Sequence, residues 1–179
     1  MAEDLQELHE RAEHGAEHRM AWVTISMAVL AVFVAAISLM GHRMHTEEIM
    51  SETLATDTWA QYQAKSIRER SYEVFLDQLS VFAVQSPAQA GSLKEKYSKE
   101  IERYHEEMKE LTEKAKEFEK EVGLVQKRGD RFDLAEVLLE AALVISSITL
   151  LTKKKAFWAL GMALAVLGLV LAATGFFMH

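Results

Sequence analysis

Histidine and glutamate side chains recur at helical spacing on both sides of the first apolar segment, and these residue types can bind a metal ion. His14 and His18 lie one turn apart with Glu17 beside them, while His42 and His45 follow the apolar segment. Imidazole and carboxylate groups one turn apart on a helix can share a divalent ion, and histidine titrates near neutral pH. The spacing therefore predicts a candidate metal or pH-sensing site, and a solvated acidic helix is the more ordinary interpretation.

A second group of residues, 57–65, mixes aromatic, amide and charged side chains in one helical stretch. Asp57, Gln61 and Lys65 fall on one face at successive i, i+4 steps and can form a hydrogen-bonded ladder. Polar packing between helices that sets their register is favoured here over a ligand site. The candidate interaction residues of this block are Asp57, Trp59, Tyr62, Gln63 and Lys65.

Two acidic residues, Glu136 and Glu140, lie one turn apart near the start of another apolar segment. A capping box formed by Asp133 and Glu136 would explain the first by helix initiation alone. Glu140 is expected at or just inside the membrane interface, where it is solvated or paired with lysine. In an oligomer, copies of this carboxylate can instead form an acidic ring at a pore mouth.

No catalytic motif is recognisable in this chain. It has 179 residues without a cysteine, and it lacks a Ser-His-Asp order, a metal-protease helix and a phosphate-binding loop. A formal net charge of −7 argues against a nucleic-acid partner, because phosphate neutralisation requires clustered lysine and arginine. We expect no enzyme activity and no cofactor.

The apolar and charged residues occupy separate blocks, which is typical of a membrane protein. Three segments are apolar over a length that crosses a hydrocarbon core of about 30 Å. The sequence predicts an all-α integral membrane protein with a His- and Glu-rich helix over residues 1–19. Transmembrane helices are predicted at 20–41, 132–152 and 156–178. No signal peptide is recognisable, so we expect the first span to be retained.

Residues 42–131 are predicted to form a long antiparallel coiled-coil hairpin outside the membrane. Its tip is placed at 85–91, which holds the single proline, and a capping box at Ser92 and Glu95 is expected to start the second arm. That arm carries an unbroken heptad seam: Tyr97, Ile101, Tyr104, Met108, Leu111, Ala115, Phe118, Val122 and Val125. The first arm is expected to present these apolar or small residues: Ile49, Thr53, Thr56, Ala60, Ala64, Ile67, Ser71, Phe75, Leu79 and Phe82.

Two paired helices bury little apolar surface, which predicts self-association. With the face above turned inward, Trp59, Tyr62, Tyr72 and Leu76 would remain partly exposed. Closed symmetry is the usual way to cover such a repeated patch, so a cyclic homo-oligomer is expected. The alternative is a monomer in which these side chains widen the seam.

The lysines of residues 153–155 separate the second and third spans and favour the cytoplasmic side for this turn and the N-terminus. The hairpin would then be periplasmic. Arg43, Lys127, Arg128 and Arg131 flank the spans on the opposite side and weigh against this orientation.

Almost the whole chain resembles the uncharacterised bacterial membrane proteins grouped as domain of unknown function 4337. The resemblance lies in the His/Glu-rich start before Trp22 and in the blocks 55–67 and 146–158. It implies a bacterial inner-membrane location and no established activity. The family's second span is usually more neutral, so Glu140 departs from the pattern. The residues that match its most distinctive block are Asp57, Trp59, Tyr62, Gln63 and Lys65.

The function expected from these observations is a homo-oligomeric, membrane-anchored scaffold or accessory subunit, with the lipid bilayer and a further membrane protein as partners. One alternative is an oligomeric ion channel lined by the first span through Thr24, Ser26 and Ser38. Another is a membrane protein that senses a divalent metal or pH through its histidines.

Overall fold

The fold of the chain is all-α, as predicted. The computed structural model describes residues 2–81 and 87–178, with side chains from Ala21 onward. Its helices are α1 (Ala2–Val81), α2 (Pro87–Thr152) and α3 (Lys155–Phe176). Each of the three is long and apolar enough to cross a membrane.

Two predicted helix starts are wrong. We expected α2 to begin at a capping box formed by Ser92 and Glu95, but it begins at Pro87, where the missing N–H of proline is tolerated. The Ser92 hydroxyl donates to the Gln89 carbonyl inside the helix, 3.0 Å away. Residues 87–91, assigned to the hairpin tip, are therefore helical.

The second wrong start is Asp133, because α2 is continuous there. The backbone N–H groups that a capping box would serve already bond within the helix, so the Asp133 carboxylate can bond elsewhere. Its Oδ2 lies 3.0 Å from His45 Nε2. The predicted domain boundaries at residues 19, 41 and 131 lie within continuous helix, and where the membrane spans begin and end stays a prediction.

The chain divides into two compact units. Unit 1 comprises Met1–Thr46 and Leu124–His179, and unit 2 comprises Glu47–Gly123. Both α1 and α2 contribute to each unit, while α3 belongs to unit 1 alone.

The core of unit 1 combines branched side chains from α1 with mostly small ones from α2 and α3. Its buried members are Leu30, Ile37, Phe132, Ala135, Leu139, Ala142, Ala165 and Ala172. The contacting face of α3 repeats a small residue every three or four positions: Gly161, Ala165, Gly168, Ala172 and Gly175. Small residues allow two helix backbones to approach closely.

The close approach between α2 and α3 shows at the glycines. A Cβ atom built on Gly161 would lie 2.8 Å from the Ala142 carbonyl oxygen and would overlap the Ser146 hydroxyl. One built on Gly168 would lie 3.1 Å from the Ala135 carbonyl oxygen. A Cβ at Gly161 would therefore force the two helices apart, whereas one at Gly168 would require its neighbours to shift by a smaller amount.

In unit 2, α1 and α2 contact each other with opposite directions along the chain. Lys65 bonds Glu107 and Trp59 bonds Glu119, so a lower residue number on α1 meets a higher one on α2. Further along, Tyr72 contacts Tyr97.

Candidate functional site

The heptad seam on α2 is buried as predicted. Tyr104, Met108, Ala115 and Val125 are buried, and the other five seam residues are half-buried. Ala115 is fully inaccessible to solvent. The seam therefore follows directly from the spacing of apolar residues in the sequence.

The face of α1 that pairs with this seam is not the predicted one. Most of the predicted residues are exposed, including Ile49, Thr53, Ala60 and Ile67, which is 66% exposed. The buried or half-buried residues instead follow a heptad spacing of their own: Ser51, Ala55, Thr58, Tyr62, Lys65, Glu69, Tyr72, Leu76 and Leu79. Several of these are polar, which is why hydrophobicity alone selects the wrong face.

The centre of unit 2 is an ion-pair network that joins the two helices. Lys65 Nζ donates to Glu107 Oε2, and the two side chains are only 27% and 35% exposed. Arg103 Nε lies 3.4 Å from the other carboxylate oxygen of Glu107 and also pairs with Glu100. On the neighbouring turn, His105 Nδ1 lies 3.5 Å from Glu69 Oε1.

The electrostatic effect of this network falls on Glu107. The hydrogen bond from Lys65 lowers the pKa of this carboxyl below its ordinary value, and the positive charges of Lys65 and Arg103 act in the same direction. The carboxylate is therefore ionised at neutral pH and holds both cations in place.

Aromatic rings pack beside the ion pairs. Tyr72 on α1 contacts both Tyr97 and Tyr104 of α2, with ring centroids 4.9 Å and 5.9 Å apart. The neighbouring Tyr104 hydroxyl raises the pKa of the Tyr72 hydroxyl above its ordinary value, so Tyr72 is protonated at neutral pH. The Arg103 guanidinium and the Lys65 ammonium lie 5.1 Å and 5.9 Å from the centre of the Tyr104 ring. We call Lys65, Tyr72, Arg103, Tyr104 and Glu107 the polar layer.

The predicted interaction block divides between the two sides of α1. Lys65 belongs to the polar layer and reaches α2, not its own neighbour Gln61. Trp59 Nε1 donates to Glu119 Oε1 at 2.9 Å, and its ring packs edge to face on Tyr62. Asp57 and Gln63 are exposed. The structure thus brings three of the five residues to the helix pair.

The polar layer can fix how the two helices align. A lysine at a heptad seam position is unfavourable unless a partner carboxylate lies opposite. A one-heptad shift in one direction would place Lys114 opposite Lys65, whereas a shift in the other direction would place Glu100 there. The chemistry of this layer is recognition between helices.

Among the described side chains of unit 1, neither predicted acidic residue has a hydrogen-bond or ion-pair partner. Glu136 is half-buried and Glu140 is exposed. The Ser26 hydroxyl, proposed as pore-lining, donates to the Val23 carbonyl and accepts from Trp158 Nε1 at 2.9 Å. The hypothesis of an oligomeric channel, lined by the first span and with an acidic ring at its mouth, stays a prediction.

The histidine predictions are placed as follows. His42 Nδ1 lies 3.0 Å from the Ser38 carbonyl oxygen, and His45 bonds Asp133. His14, Glu17 and His18 lie outside the residues whose side chains are described. Among the residues with described side chains, no group of three His, Cys, Asp or Glu residues is arranged to hold a metal ion.

Sequence reasoning missed the acidic partners on α2, Glu107 and Glu119, and the glycine face of α3. Gly161, Gly168 and Gly175 are separated by seven residues each, and this repeat was a visible signal for close helix packing. Glu107 carried no comparable signal, because it is one of many glutamates in a segment whose Glu- and Lys-rich sequence is typical of a solvent-exposed helix face.

Comparison with known proteins returns one match. No curated protein and no solved structure matches the chain. The model of a family described as a domain of unknown function (DUF4337) matches residues 19–178, which cover all of unit 2, most of unit 1 and the three segments that are long and apolar enough to cross a membrane. The chain therefore belongs to the DUF4337 family.

Proposed function

We propose that this protein is a homo-oligomeric, membrane-anchored scaffold or accessory subunit without enzymatic activity. Unit 1 anchors it in the bacterial inner membrane. Unit 2 is an antiparallel coiled-coil hairpin outside the membrane. The residues 153–155 turn and the N-terminus are cytoplasmic, and the hairpin is periplasmic.

The observation that carries the oligomer is an exposed second heptad on α1, which we call the outer face. It repeats every three or four residues through Thr53, Asp57, Ala60, Ala64, Ile67, Ser71, Val74 and Gln78, all exposed. The seam to α2 uses other residues of the same helix. The aromatic residues that we first expected to be exposed, Tyr62 and Tyr72 among them, are half-buried instead.

The outer face has the features of a helix-docking surface. An open groove of about 550 Å³ is lined by Ile67, Arg70, Ser71, Val74, Phe75 and Gln78. Ile67 and Val74 are 66% and 54% exposed. Ala60 and Ala64 allow a close approach of a second backbone. A spacing of 3.5 residues fits another helix with the same repeat, and the same face of a second copy supplies one under closed symmetry.

The test introduces lysine at Ile67 and Val74 in the full chain. We expect wild-type protein in mild detergent to be oligomeric by native mass spectrometry, and Ile67→Lys/Val74→Lys to shift it to monomers, because buried unpaired charges oppose association. Ser92→Lys/Ser98→Lys, at exposed positions of α2, is the matched control and should leave the oligomer intact. A monomeric wild-type protein would refute the proposal, and an oligomeric double variant would place the interface elsewhere.

A further inference from the structure

The turn between α2 and α3 concentrates three positive charges in a short space. Only Lys153 and Lys154 lie outside helix, and Lys155 is the first residue of α3. Lys153 adopts a left-handed conformation with φ of 53°, and its N–H bonds the Thr149 carbonyl oxygen at 2.8 Å. All three lysines are exposed.

The position of this turn follows from the helices on either side of it. Both α2 and α3 are long and apolar enough to cross a membrane, and the linker between them is too short to move away from their ends. In a bilayer, the three ammonium groups therefore lie at the depth of the lipid headgroups, with their aliphatic stems along apolar surface.

Neither of the two helices that flank the turn carries an acidic residue close to it. Along α2 the nearest acidic residue is Glu140, about 20 Å away by helical rise, and α3 contains none. The acidic residues of α1 at this end, such as Glu17, precede Ala21, where the description of side chains begins, and among the described side chains no acidic group pairs with the three lysines. An anion from outside the chain can therefore bind them.

Two tryptophans at the same end of unit 1 mark the interface depth independently. Trp158 lies one turn into α3 and donates from Nε1 to Ser26 of α1. Trp22 lies one turn before Ser26 and is 64% exposed. Tryptophan is enriched where headgroups meet hydrocarbon, so the indoles and the lysines occupy one layer.

We propose that the three lysines of residues 153–155 form a binding site for the headgroup phosphate of anionic phospholipid in the adjacent leaflet. Lysine binds phosphate as a point charge, and each lysine near an anionic surface adds to lipid affinity. This role is separate from oligomerisation and does not depend on the outer face of α1.

The experiment titrates fluorescent phosphatidylglycerol into the full chain in a neutral detergent, with phosphatidylcholine of the same acyl chains as the reference. We expect the wild type to prefer phosphatidylglycerol and added salt to weaken that preference. Lys153→Gln/Lys154→Gln/Lys155→Gln should reduce phosphatidylglycerol affinity at least about tenfold. The triple arginine variant should retain binding.

Two controls separate this site from general charge effects. Lys114→Gln/Lys116→Gln/Lys120→Gln removes three exposed lysines from unit 2 and should leave the affinity unchanged. Inorganic phosphate, added at the lipid concentration, should not compete. Equal phosphatidylglycerol binding by the wild type and the residues 153–155 glutamine variant would overturn the proposal. Displacement by free phosphate would overturn the assignment to lipid.

Discussion

The two units solve the problem of holding helices together in opposite ways. In unit 1, α2 and α3 meet through glycine and alanine, and the distance between backbones is so short that Gly161 cannot carry a Cβ. In unit 2, α1 and α2 meet through large aromatic side chains and an ion pair between Lys65 and Glu107. The interface in unit 1 depends on residues with little or no side chain, whereas the interface in unit 2 depends on specific pairs of large side chains.

This difference has a physical reason, because the composition of the unit 1 interface suits lipid and that of the unit 2 interface suits water. In lipid, apolar side chains gain nothing by leaving the solvent, so helices associate through close van der Waals packing of small residues. In water, burial of the seam on α2 supplies the driving force, and charged partners can select one alignment. The two interfaces should therefore respond in opposite ways to the same kind of change.

The largest expected effect is a difference in stability between two variants that carry the same substitution, glycine to alanine, one in α3 and one in α2. Gly161→Ala should lower the free energy of unfolding by about 1–3 kcal/mol, because its Cβ meets the Ala142 carbonyl. Gly123→Ala should raise it by about 0.5–1 kcal/mol, because nothing lies within 4 Å and alanine favours helix. Thermal denaturation in detergent measures both. Shifts of the same sign would contradict the close packing in unit 1.

A smaller effect is expected from the ion pair in unit 2. Lys65→Met should leave Glu107 without its closest partner and speed hydrogen exchange of the amides around it by roughly twofold to fivefold. Lys99→Met is the control, because its pair with Glu95 is exposed and lies within α2. The double variant Lys65→Met/Glu107→Gln should lose less than the sum of the single variants. Additive losses would mean that the two side chains do not interact.

The smallest effect is a pH dependence confined to unit 2. Because Lys65 lowers the pKa of Glu107 in the folded state, the pair stabilises unit 2 above the ordinary pKa of a glutamate. That stabilisation is lost as pH falls through the lowered value. Amide exchange in unit 2, corrected for its intrinsic pH dependence, should indicate a stability that falls as the pH is lowered through the ordinary glutamate pKa toward the lowered pKa of Glu107. Glu107→Gln should reduce this change, whereas Glu95→Gln should largely preserve it. An unchanged pH response in Glu107→Gln would exclude this carboxyl as the source.

The sequence was a good guide where apolar residues mark a face by themselves. The seam from Tyr97 to Val125 was predicted from the spacing of its apolar residues, and the three apolar segments from their length. Large apolar side chains are stable only when they are removed from water, so their positions mark the buried face. The same reasoning failed for α1 in unit 2. There the exposed Ile67 and Val74 are more apolar than the half-buried Lys65 and Glu69.

Sequence alone determined that this chain is helical, that each helix is long and apolar enough to cross a membrane, and that α2 has one buried seam. These properties are local, because they depend on hydrophobic periodicity and on the lack of helix breakers. Tertiary structure decided which face of α1 packs on that seam, which carboxylate pairs with Lys65, and at which positions of α3 the close approach of α2 requires glycine. Those outcomes depend on pairwise fit between distant segments, which no single segment encodes.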